Sequence, residues 1–139
     1  MNLDLDKKTA LICGSTQGIG LETAKTLADL GATCVLVARN EEKLKNACKS
    51  LSVNRNQNHS YLVADFSKPN DLKKTIEEFA THKNVNILVN NTGGPKGGPI
   101  VNAEIEEFTS TFHQHLVCNH ILVQALLPGM KALGYGRIV

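Results

Sequence analysis

The chain reads as an α/β domain in which a parallel sheet carries helices on both faces, and three observations predict it. Short apolar runs alternate with helix-patterned segments along its whole length. One run, Ala32 to Ala38, is rich in β-branched and apolar residues and unbroken by charge, as in a parallel strand buried on both sides. The run Thr9-Ala10-Leu11-Ile12-Cys13 leads straight into Gly14-Ser15-Thr16-Gln17-Gly18-Ile19-Gly20 and then into a helical pattern ending at Gly31.

That first strand, turn and helix organise the rest. A glycine turn opening a helix aims the helix's unpaired N-terminal N–H groups, and the positive end of its dipole, at whatever lies above the strand. Gly14 suits the tight turn, Gly18 admits a pyrophosphate to the backbone, and Gly20 lets the helix pack close. The spacing Gly-x-x-x-Gly-x-Gly is neither Gly-x-Gly-x-x-Gly nor a nucleoside triphosphate loop, and no lysine follows the glycines. The competing reading is a glycine turn that serves chain geometry alone.

The later elements follow in order. Ala32–Ala38 is strand two. Asn40 caps a helix with acids in its first turn and Leu44, Ala47, Cys48 and Leu51 along one face. Asn54 to Asn58 is a polar loop before strand three, His59–Ala64. Asp65-Phe66-Ser67-Lys68-Pro69 closes that strand and opens a helix whose buried face is Leu72, Ile76, Phe79 and Ala80, proline being acceptable in the first turn. Asn86–Asn90 is strand four, and Thr92 to Pro99 is a glycine and proline loop whose Lys96 reads as solvated. A long helix is expected from about Ala103 to Leu133, interrupted or ended near Pro128-Gly129, with Arg137-Ile138-Val139 opening strand five.

Composition limits the function. The chain's 139 residues, 42% hydrophobic and 20% charged, suffice for one core, so residues 1–139 form a single domain. Net charge is +2, and most lysines neighbour acids on helix faces, which speaks against a nucleic-acid surface; few aromatics and no tryptophan leave no base-stacking platform. The acidic Met1-Asn2-Leu3-Asp4-Leu5-Asp6 is not patterned as a leader, and no run is long enough for a membrane span, so a cytoplasmic location without membrane contact is expected. Cys13, Cys34, Cys48 and Cys118 lack paired spacing and read as free thiols used as small hydrophobes, with no metal set.

Four motifs in order, Cys13 to Gly20, Ala64-Asp65, Asn90-Asn91-Thr92-Gly93, and Leu127-Pro128-Gly129-Met130 through Val139, resemble the short-chain dehydrogenase/reductase family, and within it the 3-oxoacyl-carrier-protein-reductase-like members. The resemblance implies a three-layer Rossmann-type fold, incomplete at its C-terminal side. It also implies that Gly14, Ser15, Thr16, Gln17, Gly18, Ile19 and Gly20 hold a cofactor pyrophosphate, that Asp65 and Phe66 lie by the adenine, and that Asn91, Thr92 and Gly93 line the cofactor site. Thr92 stands where the family has alanine.

An acid after strand two would accept hydrogen bonds from a ribose 2′-hydroxyl, whereas an arginine there pairs with a 2′-phosphate. The chain has Arg39, which favours NADP(H) over NAD(H); a solvated loop arginine is the alternative.

The family's chemistry is hydride transfer to or from a small-molecule carbonyl or alcohol, with a serine and a Tyr-x-x-x-Lys pair after strand five. The sequence ends three residues into that strand, and neither Tyr61 nor Tyr135 has a lysine at the required spacing. The family's relay asparagine falls on His115, with Asn119 one turn on; His113, His115 and His120 also read as ordinary polar residues of a helix face. Three functions stay open: an oxidoreductase of which this is the cofactor-binding part, a dinucleotide-binding module without turnover, and an interaction protein using the helix around Leu116 to Leu127. The isolated chain is expected to lack dehydrogenase activity. An unpaired sheet edge and uncovered apolar faces further predict poor solubility or a homo-oligomer, dimer or tetramer as the family suggests.

Overall fold

The computed structural model describes residues 3–139; the sequence readings of Met1 and Asn2 lie outside them. Five strands, β1 (Thr9–Cys13), β2 (Thr33–Ala38), β3 (Ser60–Val63), β4 (Ile87–Val89) and β5 (Arg137–Ile138), pair in the order β3-β2-β1-β4-β5. Every pairing is parallel. The helices are α1 (Gly18–Asp29), α2 (Glu41–Lys49), α3 (Pro69–His82), α4 (Ile105–Phe112) and α5 (Cys118–Ala132). The expected α/β fold of Rossmann type is the observed one.

Alternation along the central strands divides the core into two layers. Leu11, Cys13, Val35, Val37 and Leu88 face α3 and α5 through Leu72, Ile76, Cys118, Leu122, Leu126 and Met130. Ala10, Ile12, Cys34, Leu36 and Ile87 face α1 and α2 through Ala24, Ala28, Leu44 and Ala47. Burial on both sides explains why β1 and β2 carry continuous apolar runs. Burial also pushes the Cys13 and Cys34 thiols up to about 12, so they act as hydrophobes.

Local signals set the helix starts. The Asn40 side chain accepts the Lys43 N–H at 2.9 Å to cap α2, and Pro69 occupies the first turn of α3, where a missing N–H costs nothing. The loop before β3 is more than a polar linker. Gln57 is buried and donates to the Ala28 carbonyl at 2.7 Å, and His59, which precedes the strand, accepts the Cys34 N–H at 3.0 Å while its Nε2 lies 2.8 Å from the Ser52 carbonyl.

The single long helix expected from Ala103 is corrected. A 3₁₀ turn at Ile100–Asn102 comes first, α4 starts at Ile105 behind a capping box of Glu104 and Glu107, and a π-helical turn at His113–Val117 joins α4 to α5. Pro128 neither ends nor interrupts α5. Proline removes one i→i−4 bond, but the buried series Cys118, Leu122, Leu126 and Met130 runs past it and holds the helix to the sheet. The stripe between Leu116 and Leu127 is therefore mostly committed to the core, and α4 and the π-helical turn instead expose Ile105, Phe108, Phe112 and Leu116. Among the described residues no helix is long and apolar enough to cross a membrane.

Candidate dinucleotide-binding site

Four chain segments meet above the carboxyl ends of the strands and enclose a cleft of about 530 Å³. The turn after β1 supplies Gly14, Thr16, Gln17, Gly18 and Ile19, the stretch from the end of β2 into the first turn of α2 supplies Arg39, Asn40 and Lys43, and the segment after β3 supplies Asp65, Phe66 and Ser67. Asn91 to Gly94, after β4, make the fourth wall, with Gln114 from the π-helical turn beside them.

The glycines do different work. Gly14 and Gly18 both have positive φ, +58° and +55°, which other residues adopt only with strain. No atom lies within 4 Å of where a Cβ on Gly18 would stand, so the backbone there is open to the cleft. Gly14 and Gly20 are closed in instead. A Cβ on Gly14 would come within 2.7 Å of Asn91 Nδ2, and one on Gly20 would collide with the Gly14 carbonyl and approach Asn91 Nδ2 to 2.8 Å. The close packing expected at Gly20 thus falls on the turn and on Asn91, not on the strand.

Asn91 locks this arrangement by donating to the carbonyls of Cys13 at 3.2 Å and Gly14 at 3.3 Å. Ser15 acts from behind. Its wholly buried hydroxyl accepts the Val37 N–H at 3.0 Å, tying the turn to β2. Ser15 and Gly20 shape the turn without lining the cleft, a correction to their expected contact with a ligand. The amides that open α1 have no intrahelical acceptor, and no acidic residue lies in that first turn, which leaves them for an anion.

Arg39 and Lys43 also line the cleft, with exposed side chains, and Asp65 shares that lining. Asp65 is held below the usual carboxylate range, chiefly by the Ser67 N–H at 2.9 Å, then by the Ser67 hydroxyl at 2.8 Å, with Arg39 and Lys68 adding to it.

The two relay candidates are placed differently from expectation. His115 does not line the cleft. Its ring reaches Thr92 Oγ1, 2.9 Å from Nδ1, and the Gly93 carbonyl, 3.2 Å from Nε2. Asn119 keeps its Oδ1 buried without a partner among the described residues. Neither tyrosine reaches the site: Tyr61 donates to Glu41 Oε1 at 3.0 Å, and Tyr135 lies under the cations of Lys8 and Arg137, 4.3 Å and 4.6 Å from its ring centre.

Sequence reasoning missed Asn40, Lys43, Ser67, Gly94 and Gln114, among others, as cleft residues. Lys43 was legible, since it stands three residues beyond the Asn40 cap and so on the first turn of α2 beside Arg39. Gln114 was not, because its position depends on the π-helical turn.

Comparison with known proteins settles the family. The family model described as short chain dehydrogenase matches residues 8–139. The chain belongs to the short-chain dehydrogenase family. It is 33% identical over 132 residues to inactive hydroxysteroid dehydrogenase-like protein 1 of Homo sapiens, covering 94% of this chain and 40% of that protein. It is 29% identical to the 3-oxoacyl-[acyl-carrier-protein] reductase of Chlamydia muridarum, covering 100% of this chain and 56% of the other. L-sorbose reductase from Gluconobacter frateurii, solved with NADPH and L-sorbose, superposes with a TM-score of 0.88 at 32% identity, covering 99% of this chain and 53% of that one. The chain thus spans about half the length of these relatives. It is a member of an oxidoreductase family that matches their N-terminal part.

Proposed function

We propose that this chain is the NADP(H)-binding part of a short-chain reductase or dehydrogenase acting on a small-molecule carbonyl or alcohol, and that its 139 residues bind the dinucleotide without turning it over. One observation carries the reading: the open backbone at Gly18 and the free amides of α1 share a cleft with Arg39 and Lys43. An anion-binding helix start and two cations in one cleft suit a pyrophosphate and a ribose 2′-phosphate. L-Sorbose reductase binding NADPH supports the choice of cofactor.

The residues present fit that group. Gly18 would give the pyrophosphate access to the α1 amides, Arg39 and Lys43 would meet the 2′-phosphate, Asp65 with Phe66 would border the adenine, and Asn91 to Gly93 would line the nicotinamide side. When bound, the nicotinamide supplies the hydride that a carbonyl carbon accepts. This chain positions it, and no residue of the cleft is a tyrosine with a lysine partner to move the accompanying proton.

Among the relatives, the hydroxysteroid dehydrogenase-like protein of Homo sapiens is named inactive, which favours binding without turnover as the second reading for any longer form. A cytoplasmic location and self-association into a dimer or tetramer belong to the same proposal, the latter supported by the exposed apolar side chains of α4. Fluorescence titration of the purified chain with NADPH and NADH tests it. NADPH is expected to bind at least about ten-fold more tightly, the equivalent of one charge-assisted contact. Equal affinity would overturn the NADP preference, and NADPH oxidation dependent on an added carbonyl would overturn the absence of turnover.

A further inference from the structure

The walls of the cleft differ in the hydrogen-bonding groups they leave for a ligand. After β4, Asn91 already donates its side-chain amide to the Cys13 and Gly14 carbonyls. Thr92 Oγ1 is turned to the His115 ring, 2.9 Å and 3.2 Å from its two nitrogens. Gly93 and Gly94 have no side chain, and Cβ atoms built on them would meet nothing within 4 Å. Gln114 directs its amide nitrogen to Ser110 Oγ at 3.1 Å. This wall therefore presents open glycine backbone, and the side-chain donors it has are turned to the chain's own atoms.

The other walls do the reverse. Among the described residues neither Arg39 nor Lys43 forms an ion pair, and both side chains are exposed. The Ser67 N–H and hydroxyl both fall on Asp65 Oδ1, which leaves Oδ2 to accept from the exocyclic amine of a base. The amides that open α1 have no intrahelical acceptor, and the backbone at Gly18 is open beside them. An adenosine with a 2′-phosphate and a 5′-diphosphate matches all three: amine to Asp65, 2′-phosphate to the cations, diphosphate to the amides. Each of these contacts involves a full charge, which makes it roughly twice as strong as a neutral hydrogen bond. The wall after β4 has no charged side chain to offer a nicotinamide.

We propose that the ligands of this cleft are adenosine 2′-phosphate 5′-diphosphates as a class, and that the nicotinamide adds no affinity of its own. The proposal rests on the dinucleotide-binding reading and deepens it. NADP(H) is one member of the class, held through its adenosine half, with the nicotinamide carried along against the wall after β4. Two consequences separate this from recognition of the whole dinucleotide. ADP-ribose 2′-phosphate, which has no nicotinamide, binds as NADPH does. NADP+ and NADPH bind alike, because they differ only in a ring that the cleft does not read.

Calorimetric titration of the 139-residue chain with NADPH, NADP+, ADP-ribose 2′-phosphate, ADP-ribose and nicotinamide mononucleotide tests this. The first three are expected to have dissociation constants within about 5-fold of one another, the worth of one hydrogen bond. ADP-ribose should bind at least about 10-fold more weakly, and nicotinamide mononucleotide should not bind at about 1 mM. Arg39→Ala should weaken NADPH and ADP-ribose 2′-phosphate by the same factor. NADPH binding more than about 5-fold tighter than ADP-ribose 2′-phosphate or NADP+ would overturn the proposal and leave the dinucleotide reading standing. Binding of nicotinamide mononucleotide, or unequal losses in Arg39→Ala, would do the same. A smaller loss for ADP-ribose would remove the 2′-phosphate from the class, and with it the preference for NADP. No binding of any of the five would overturn this proposal and the dinucleotide reading together.

Discussion

Gly18→Ala and Gly20→Ala, two residues apart on one turn, should fail in opposite ways. At Gly20 an added methyl collides with the Gly14 carbonyl and crowds Asn91 Nδ2, both fixed parts of the turn. Overpacking of that kind costs about 1–3 kcal/mol, and a weakened Asn91 to Gly14 hydrogen bond about 1 kcal/mol more. Alanine returns about 1 kcal/mol through its helix preference, since Gly20 is the third residue of α1. The net loss of about 1–3 kcal/mol corresponds to a melting temperature lower by roughly 3–10 °C in a domain of this size. At Gly18 the methyl meets nothing, so the stability cost is only the positive-φ strain of about 1 kcal/mol. The methyl instead fills the space a pyrophosphate needs, so NADPH affinity should fall by much more than stability. Calorimetric melting with NADPH titration of both variants reads the two effects separately. A Gly20→Ala chain that melts within about 2 °C of wild type would refute the account of the turn, as would Gly18→Ala with unchanged affinity.

Three further outcomes are expected. Ser15→Ala leaves the buried Val37 N–H without an acceptor and should cost about 1–3 kcal/mol in denaturant unfolding. Arg39→Ala and Lys43→Ala should each weaken NADPH while sparing NADH, and that difference should shrink as salt is raised, because both cations are exposed. Asp65 has its folded pKa below the unfolded value of about 3.9, so its contribution is full above that pH and is lost as pH falls through the folded value. Asp65→Asn should therefore flatten the stability profile below about pH 4 and leave its neutral-pH shape unchanged.

Much of the fold was legible because burial on two faces leaves a plain record. The runs Thr9–Cys13 and Thr33–Ala38 could hardly be anything but central parallel strands, and Asn40 and Pro69 mark helix starts through interactions contained within one turn. The cleft was legible wherever it depends on the ends of those strands. What was not legible depends on contacts distant in the chain. Gln57 and His59 look like loop polarity until Ala28 and Cys34 are placed beside them. Ser15 reads as a phosphate contact until β2 lies behind it. Pro128 reads as a helix end because the packing of Leu126 and Met130 that carries α5 past it is tertiary. The π-helical turn has no periodic signature of its own, and with it went the placement of Gln114 and His115.

Amide NMR of the nitrogen-15-labelled 139-residue chain during NADPH addition tests the central claim most directly. The account predicts shifts at Thr16 to Gly20, at Arg39 and Lys43, at Asp65 to Ser67 and at Asn91 to Gly94, with the β5 edge and the exposed face of α4 unmoved. Shifts centred away from that cleft, or none at millimolar NADPH, would contradict it.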